Sequence, residues 1–94
     1  MATLSGQKTV AAAGTAEALV AASQKVNGAV MVKALPGNTG IVYVGHVDGD
    51  VDSSTGMPLS AGEALIFDRV GDLLSLMVDA AVNGEGVAWL ALSL

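Results

Sequence analysis

His46 is the single histidine of the chain, and it opens a segment, HVDGDVDSS, in which carboxylates and hydroxyls crowd together. A general base needs a nucleophile and a group to orient it, and His46 with Asp48 and Ser53 or Ser54 can be drawn as such a triad. The drawing is weak support, because Ser and Asp populate turns for backbone reasons of their own. In the same segment Asp48, Asp50 and Asp52 alternate with Gly49 and Val51, an oxygen-rich spacing that suits a hard cation such as calcium. An EF-hand loop counted from Asp48 requires glycine sixth and glutamate twelfth; Ser53 and Leu59 stand there instead. Acidic residues that cap their own turn are the simpler reading. One histidine and no cysteine leave no usual zinc cluster, no thiolate chemistry and no disulfide framework. Gly84 and Gly86 lack the Lys-Ser/Thr pair and helix start of a phosphate loop, so residues 83–86 read as a turn. The expectation is a protein that is not an enzyme and holds no metal or cofactor.

Contact chemistry is better supplied. The chain ends in VAWLALSL, where Trp89 suits a core or an interface hot spot, and Leu92 and Leu94 continue past the needs of a small core. Trp89, Leu92 and Leu94, with the cations Lys8 and Lys25, are therefore the candidate interface residues. Of the 94 residues, 52 % are apolar and only 14 % charged, with a mean hydropathy of +0.61. A single domain of this length buries roughly 60–65 % of its unfolded surface, a modest core for so apolar a chain. A membrane-spanning helix needs about 20 mostly apolar residues in a row. Lys33, the Asp48 to Asp52 cluster, Glu63, Asp68, Asp72 and Asp79 interrupt every candidate. Assembly with other protein is the better account of the excess. The opening MATLSGQKTV has no cation-led apolar segment, so synthesis without a secretory signal is expected. A net charge of −5 argues against nucleic acid as a partner. Residues 1–35 carry +2 and residues 36–94 carry −7, an asymmetry able to orient contacts between unlike surfaces.

The elements that must position these residues read as strands. Residues 29–35 and 41–45 are β-branched runs flanking Pro36, Gly37, Asn38, Thr39 and Gly40, the pattern of a hairpin with a five-residue loop. In the first run Val30, Val32 and Ala34 oppose Met31, Lys33 and Leu35, and neither face is fully polar. Residues 1–6 read as a flexible arm and residues 7–94 as one β domain. Residues 7–13 alternate weakly; residues 16–25 allow a helix capped by Thr15, with a strand over 17–20 preferred between strong strand neighbours. Residues 46–60 read as a loop without regular strand, 63–67 and 74–80 as strands, 83–86 as a hairpin turn, and 87–94 as a strand buried on both faces. Six to eight short strands and no long helix predict an all-β fold, a small antiparallel β-sandwich or barrel of jelly-roll-like form.

Lys33-Ala34-Leu35, Asn38-Thr39-Gly40, residues 41–45 (IVYVG), Gly56-Met57-Pro58-Leu59, Ala61-Gly62-Glu63, Val78-Asp79-Ala80 and Gly84-Glu85-Gly86-Val87 together carry a resemblance. The series resembles small virion proteins encoded in the structural gene clusters of tailed bacteriophages, over about two thirds of the chain from Val30 to Leu92. The resemblance implies a capsid-associated β-sandwich or barrel, a decoration (cement) protein that sits on the outer shell as a homotrimer and stabilises it. Its partners would then be the major capsid protein and further copies of itself, and its place the virion surface after synthesis in the host cytoplasm. Alternatives are a head-completion, tail or fibre-base component, and a small carbohydrate- or ligand-binding domain. With Phe67, Tyr43 and Trp89 as its only aromatic residues, the chain is poorly equipped for the last.

Overall fold

The computed structural model describes residues 4–46, 51–68 and 70–91. Among them eight strands form: β1 (Leu4–Thr9), β2 (Glu17–Ala18), β3 (Val30–Ala34), β4 (Val42–His46), β5 (Met57–Leu59), β6 (Ala64–Phe67), β7 (Leu76–Ala80) and β8 (Gly86–Ala91). One turn of 3-10 helix, Leu73–Ser75, precedes β7, and no α-helix is present among the described residues. The strands make two four-stranded antiparallel sheets, ordered β1-β8-β3-β6 and β2-β7-β4-β5. Successive strands change sheet at every step except from β4 to β5, which is the wrapping of a jelly roll. The expected all-β sandwich is therefore the fold.

Period-2 alternation sorts the residues as expected. Val30, Val32 and Ala34 are buried while Met31 and Lys33 face out. The inward rows of the two sheets, including Val32, Val87, Val42 and Val78, join one apolar cluster that Leu73 also enters. Leu73 is held there because Asp72 caps its short helix, its Oδ1 accepting the Leu74 N–H at 2.9 Å.

Strand partners depart from expectation. The runs at residues 29–35 and 41–45 do form strands, but β3 and β4 lie in opposite sheets and do not pair. Both sides of β3 are occupied, by β8 and β6, and the connecting loop is an arch tied to its neighbour. Asn38 Nδ2 donates to the Gly86 carbonyl at 2.9 Å, and Glu85 accepts the N–H groups of Thr39 and Gly40 at 2.7 and 2.9 Å. Residues 83–86 likewise form an arch, from β7 to β8, not a hairpin turn, although Gly84 has the positive φ (84°) expected of it. The one connection between consecutive paired strands spans the acidic loop, where residues 57–59 form β5 in a segment expected to hold no strand. That loop's own turn chemistry closes the ladder.

Residues 4–6, expected in the arm, are the start of β1. They pair with residues 89–91 because β8 offers a full ladder edge, and Gly6 leaves room for the Trp89 ring, 3.0 Å from where a Cβ would stand. Over residues 16–25 the structure has the two-residue β2 and no helix. The apolar strand β8 is central in its sheet but buried on one face only: Val87 and Ala91 are inside, whereas Ala88 and Leu90 are half-exposed.

Candidate interaction surface

The outer faces of the two sheets are dressed differently. Over the β2-β7-β4-β5 sheet, residues 10–16 fold back so that the Gly14 N–H donates to Asp79 Oδ1 at 3.0 Å. Asp79 is only 3 % exposed there, and its Oδ1 also accepts the Ala80 N–H at 2.8 Å. Ala13 N–H donates to Asn83 Oδ1 at 2.7 Å, tying the same loop to the β7–β8 arch. From the other side the buried Val51 sits on Gly45, 2.7 Å from a notional Cβ, and Gly56 similarly fits against Tyr43. Asp52 builds this second cover, its Oδ1 accepting the N–H groups of Ser54 and Thr55 at 2.7 and 3.1 Å. Those bonds hold its carboxyl below the usual range. Gly14, Tyr43, Asp52, Ser53 and Asp79 line the open depression between the two loops.

Among the described residues no such cover lies over the β1-β8-β3-β6 sheet. One rung of this sheet aligns Ser5, Leu90, Met31 and Ile66, and the next aligns Gln7, Ala88, Lys33 and Ala64. Met31 is 40 % and Ile66 63 % exposed. With Ala29 and Leu90 they line a shallow depression of about 140 Å³. Each strand obeys its alternation, yet the outward positions in the middle of this face are apolar, and Lys33 is the one cation set beside them among the described residues.

The candidate residues divide sharply against this geometry. Trp89 faces inward and packs on the core and on Gly6, a half-buried residue and not a projecting anchor. Leu92 and Leu94 lie outside the described residues. Lys8 also points between the sheets, where its ammonium meets Glu17 at 2.8 Å. The hydrogen bond from Lys8, followed by the N–H of Ala11, holds the Glu17 carboxyl below the usual range. Lys25 is exposed, 3.8 Å from Asp72. Asp72 is drawn down to about 2, first by the Ser23 hydroxyl and then by the N–H groups of Leu74 and Gln24. Glu85 is lowered likewise by the Thr39 and Gly40 N–H groups.

Of the residues in the catalytic drawing, the described ones line different depressions. His46 lines a depression with Phe67, Val70 and Leu76, while Ser53 lines the one beside Asp79, and Asp48 and Asp50 lie outside the described residues. Among the described residues no group of three carboxylate, histidine or cysteine side chains is placed to hold a metal ion. Sequence reasoning weighed Leu90 with Trp89 as core or contact surface but did not join it with Met31 and Ile66. The available signal was the apolar residue at outward positions of strands that otherwise alternate. No protein-family model, curated protein or solved structure matches this chain.

Proposed function

We propose that this chain is a structural protein of the tailed-bacteriophage virion, a decoration protein that binds the outer capsid shell as an oligomer and stabilises it. One observation carries the reading: the row of half-exposed Leu90 and exposed Met31 and Ile66 on the sheet face that no described loop covers. A free monomer gains nothing from leaving such a row in water, whereas a protein seated on a larger surface buries it. The loop-covered face opposite would then point away from the shell.

Magnitudes favour several linked copies. Four strands about 4.8 Å apart and about five residues long present a face of roughly 320 Å². That is well short of the roughly 800 Å² per partner of a standard stable interface. One copy thus binds weakly, and linking copies multiplies the attachment without new contacts. The resemblance to virion proteins implies a homotrimer as the linked form, whereas the free sheet edges favour a pair; the mass of the free protein decides between them.

The test uses capsids depleted of the protein and then resupplied with it. Wild-type protein is expected to co-sediment in many copies per particle and raise the temperature of capsid disruption, and Met31→Asp to bind at least tenfold more weakly. Unchanged particle stability on resupply refutes the reading. A handful of copies at one site would favour the head-completion or tail alternative instead.

A further inference from the structure

The four sheet edges of the sandwich are not alike. A free edge offers unpaired N–H and C=O groups, and proteins protect it with charge, proline or brevity. β2 has only two residues, and β5 has three with Pro58 in the middle. β1 is polar along LSGQKT and turns the charged Lys8 inward. β6 alone has no protection within it: its four residues, ALIF, include no charge, proline or glycine.

Its free hydrogen-bonding groups can be assigned. The Ala34 N–H donates to the Glu63 carbonyl at 2.8 Å, which sets the phase of the β3–β6 ladder. Leu65 and Phe67 therefore bond to β3, and Ala64 and Ile66 direct their N–H and C=O groups outward. Both of these residues are exposed, Ile66 the most of any large apolar residue described.

We infer that β6 is the contact between two copies of this chain, paired antiparallel to its twin with Ile66 on a two-fold axis. The occupant is a second copy for two reasons. An antiparallel strand edge is complementary to itself under two-fold rotation, whereas a ring of three would need β6 to pair with a different edge, and each of the others is blocked. Second, this register lays the row of one protomer end to end with that of the other. Leu90, Met31 and Ile66 then continue into Ile66, Met31 and Leu90 of the second copy, making one apolar stripe on the same face of a continuous eight-stranded sheet. The contact is small, so association is concentration-dependent. It is a property of the free protein and stands apart from whether a capsid is the surface the stripe meets.

The absence of cysteine makes a clean test. Any disulfide in a single-cysteine variant must join two copies. With Ile66 on the axis the two Cα atoms are about 5.5 Å apart, within the bridging range of about 4.4–6.8 Å. Met31 lies one strand further from the axis in each copy, so its twin is three strand spacings away, about 14 Å. Under mild oxidation Ile66→Cys is expected to convert almost wholly to dimer and Met31→Cys to remain monomer. Light scattering of the wild type is expected to rise with concentration from one chain mass, 9.3 kDa, to twice that and no further. The exposed variant Ile66→Lys is expected to stay at one chain mass while keeping its thermal transition. Equal crosslinking of Met31→Cys would mean stacked sheet faces and overturn the pairing. So would a wild-type mass of three chains, or a monomer at every concentration.

Discussion

Gly86 is where the arch between β7 and β8 passes closest to β1, and replacing it tests how the sandwich is closed. A Cβ built on Gly86 would stand 1.9 Å from the Lys8 carbonyl oxygen and 2.7 Å from the Thr9 Cα. Both are backbone atoms that no rotamer change can move aside. Reaching an ordinary contact of about 3.5 Å requires the end of β1 to recede by about 1.5 Å. The adjoining bonds, Val10 N–H to Glu85 O at 2.9 Å and Gly84 N–H to Val10 O at 2.7 Å, would then exceed hydrogen-bonding distance. Two lost bonds at about 1 kcal/mol each, and a fully buried Val10 drawn partly from the core at up to about 2 kcal/mol, make Gly86→Ala cost about 3–4 kcal/mol. For a domain of this size each kcal/mol lowers Tm by about 4–8 °C, so a fall of at least about 12 °C is expected. The assay is thermal and urea unfolding of three variants side by side. Gly84→Ala, at a φ of 84°, is expected to cost about 1 kcal/mol through backbone strain alone. Gly37→Ala, with nothing within 4 Å of the added Cβ, should change stability by less than about 0.5 kcal/mol. If Gly86→Ala unfolds with Gly37→Ala, the close passage of β1 over the arch is not what holds this end together.

Leu73→Ala should cost about 2–5 kcal/mol in urea unfolding, because the side chain is fully buried, whereas Val82→Ala on the surface should stay within about 0.5 kcal/mol. Asp79→Ala removes the acceptor for the Gly14 and Ala80 N–H groups, and the Gly14 amide is expected to exchange with deuterium at least tenfold faster. Asp79→Asn keeps an oxygen in the same place and should retain most of the protection. Asp72, Glu85, Glu17 and Asp52 all have folded pKa values below their unfolded ones, so their stabilisation is complete above about pH 5. It is lost as pH falls, for Asp72 from near 4 down through about 2, so Tm should be level from pH 7 to 5 and then decline. Asp72→Asn should flatten that decline, and an equally steep one would refute the role of the Asp72 cap.

Much of the fold is legible in single residues. The alternation of Val30, Val32 and Ala34 with Met31 and Lys33 reports which side chains are inside, because successive residues of a strand point to opposite faces whatever the strand pairs with. Gly84 marks a reversal, since only glycine takes its φ without strain. The density of Asp, Ser and Thr at residues 52–55 announces a self-capped turn, and Asp52 accepts the very N–H groups such a turn supplies. The candidate surface was far less legible. Lys8 is drawn into an ion pair between the sheets by Glu17, and Trp89 turns to the core, neither of which composition reveals.

By itself, then, the sequence determined that the chain is all-β, where most strands run, and which residues of each strand share a face, because these depend on neighbours a few positions away. The pairing of strands was decided only by the tertiary structure. Main-chain ladders are chemically alike, so residues 35–41 serve equally as a hairpin loop or as an arch between sheets. Glu85 and Asn38, from elsewhere in the chain or turned toward it, tie down the arch. The same holds for the surface. Met31, Ile66 and Leu90 are far apart in the chain and become one exposed row only because β3 lies between β6 and β8 and no described loop folds over them.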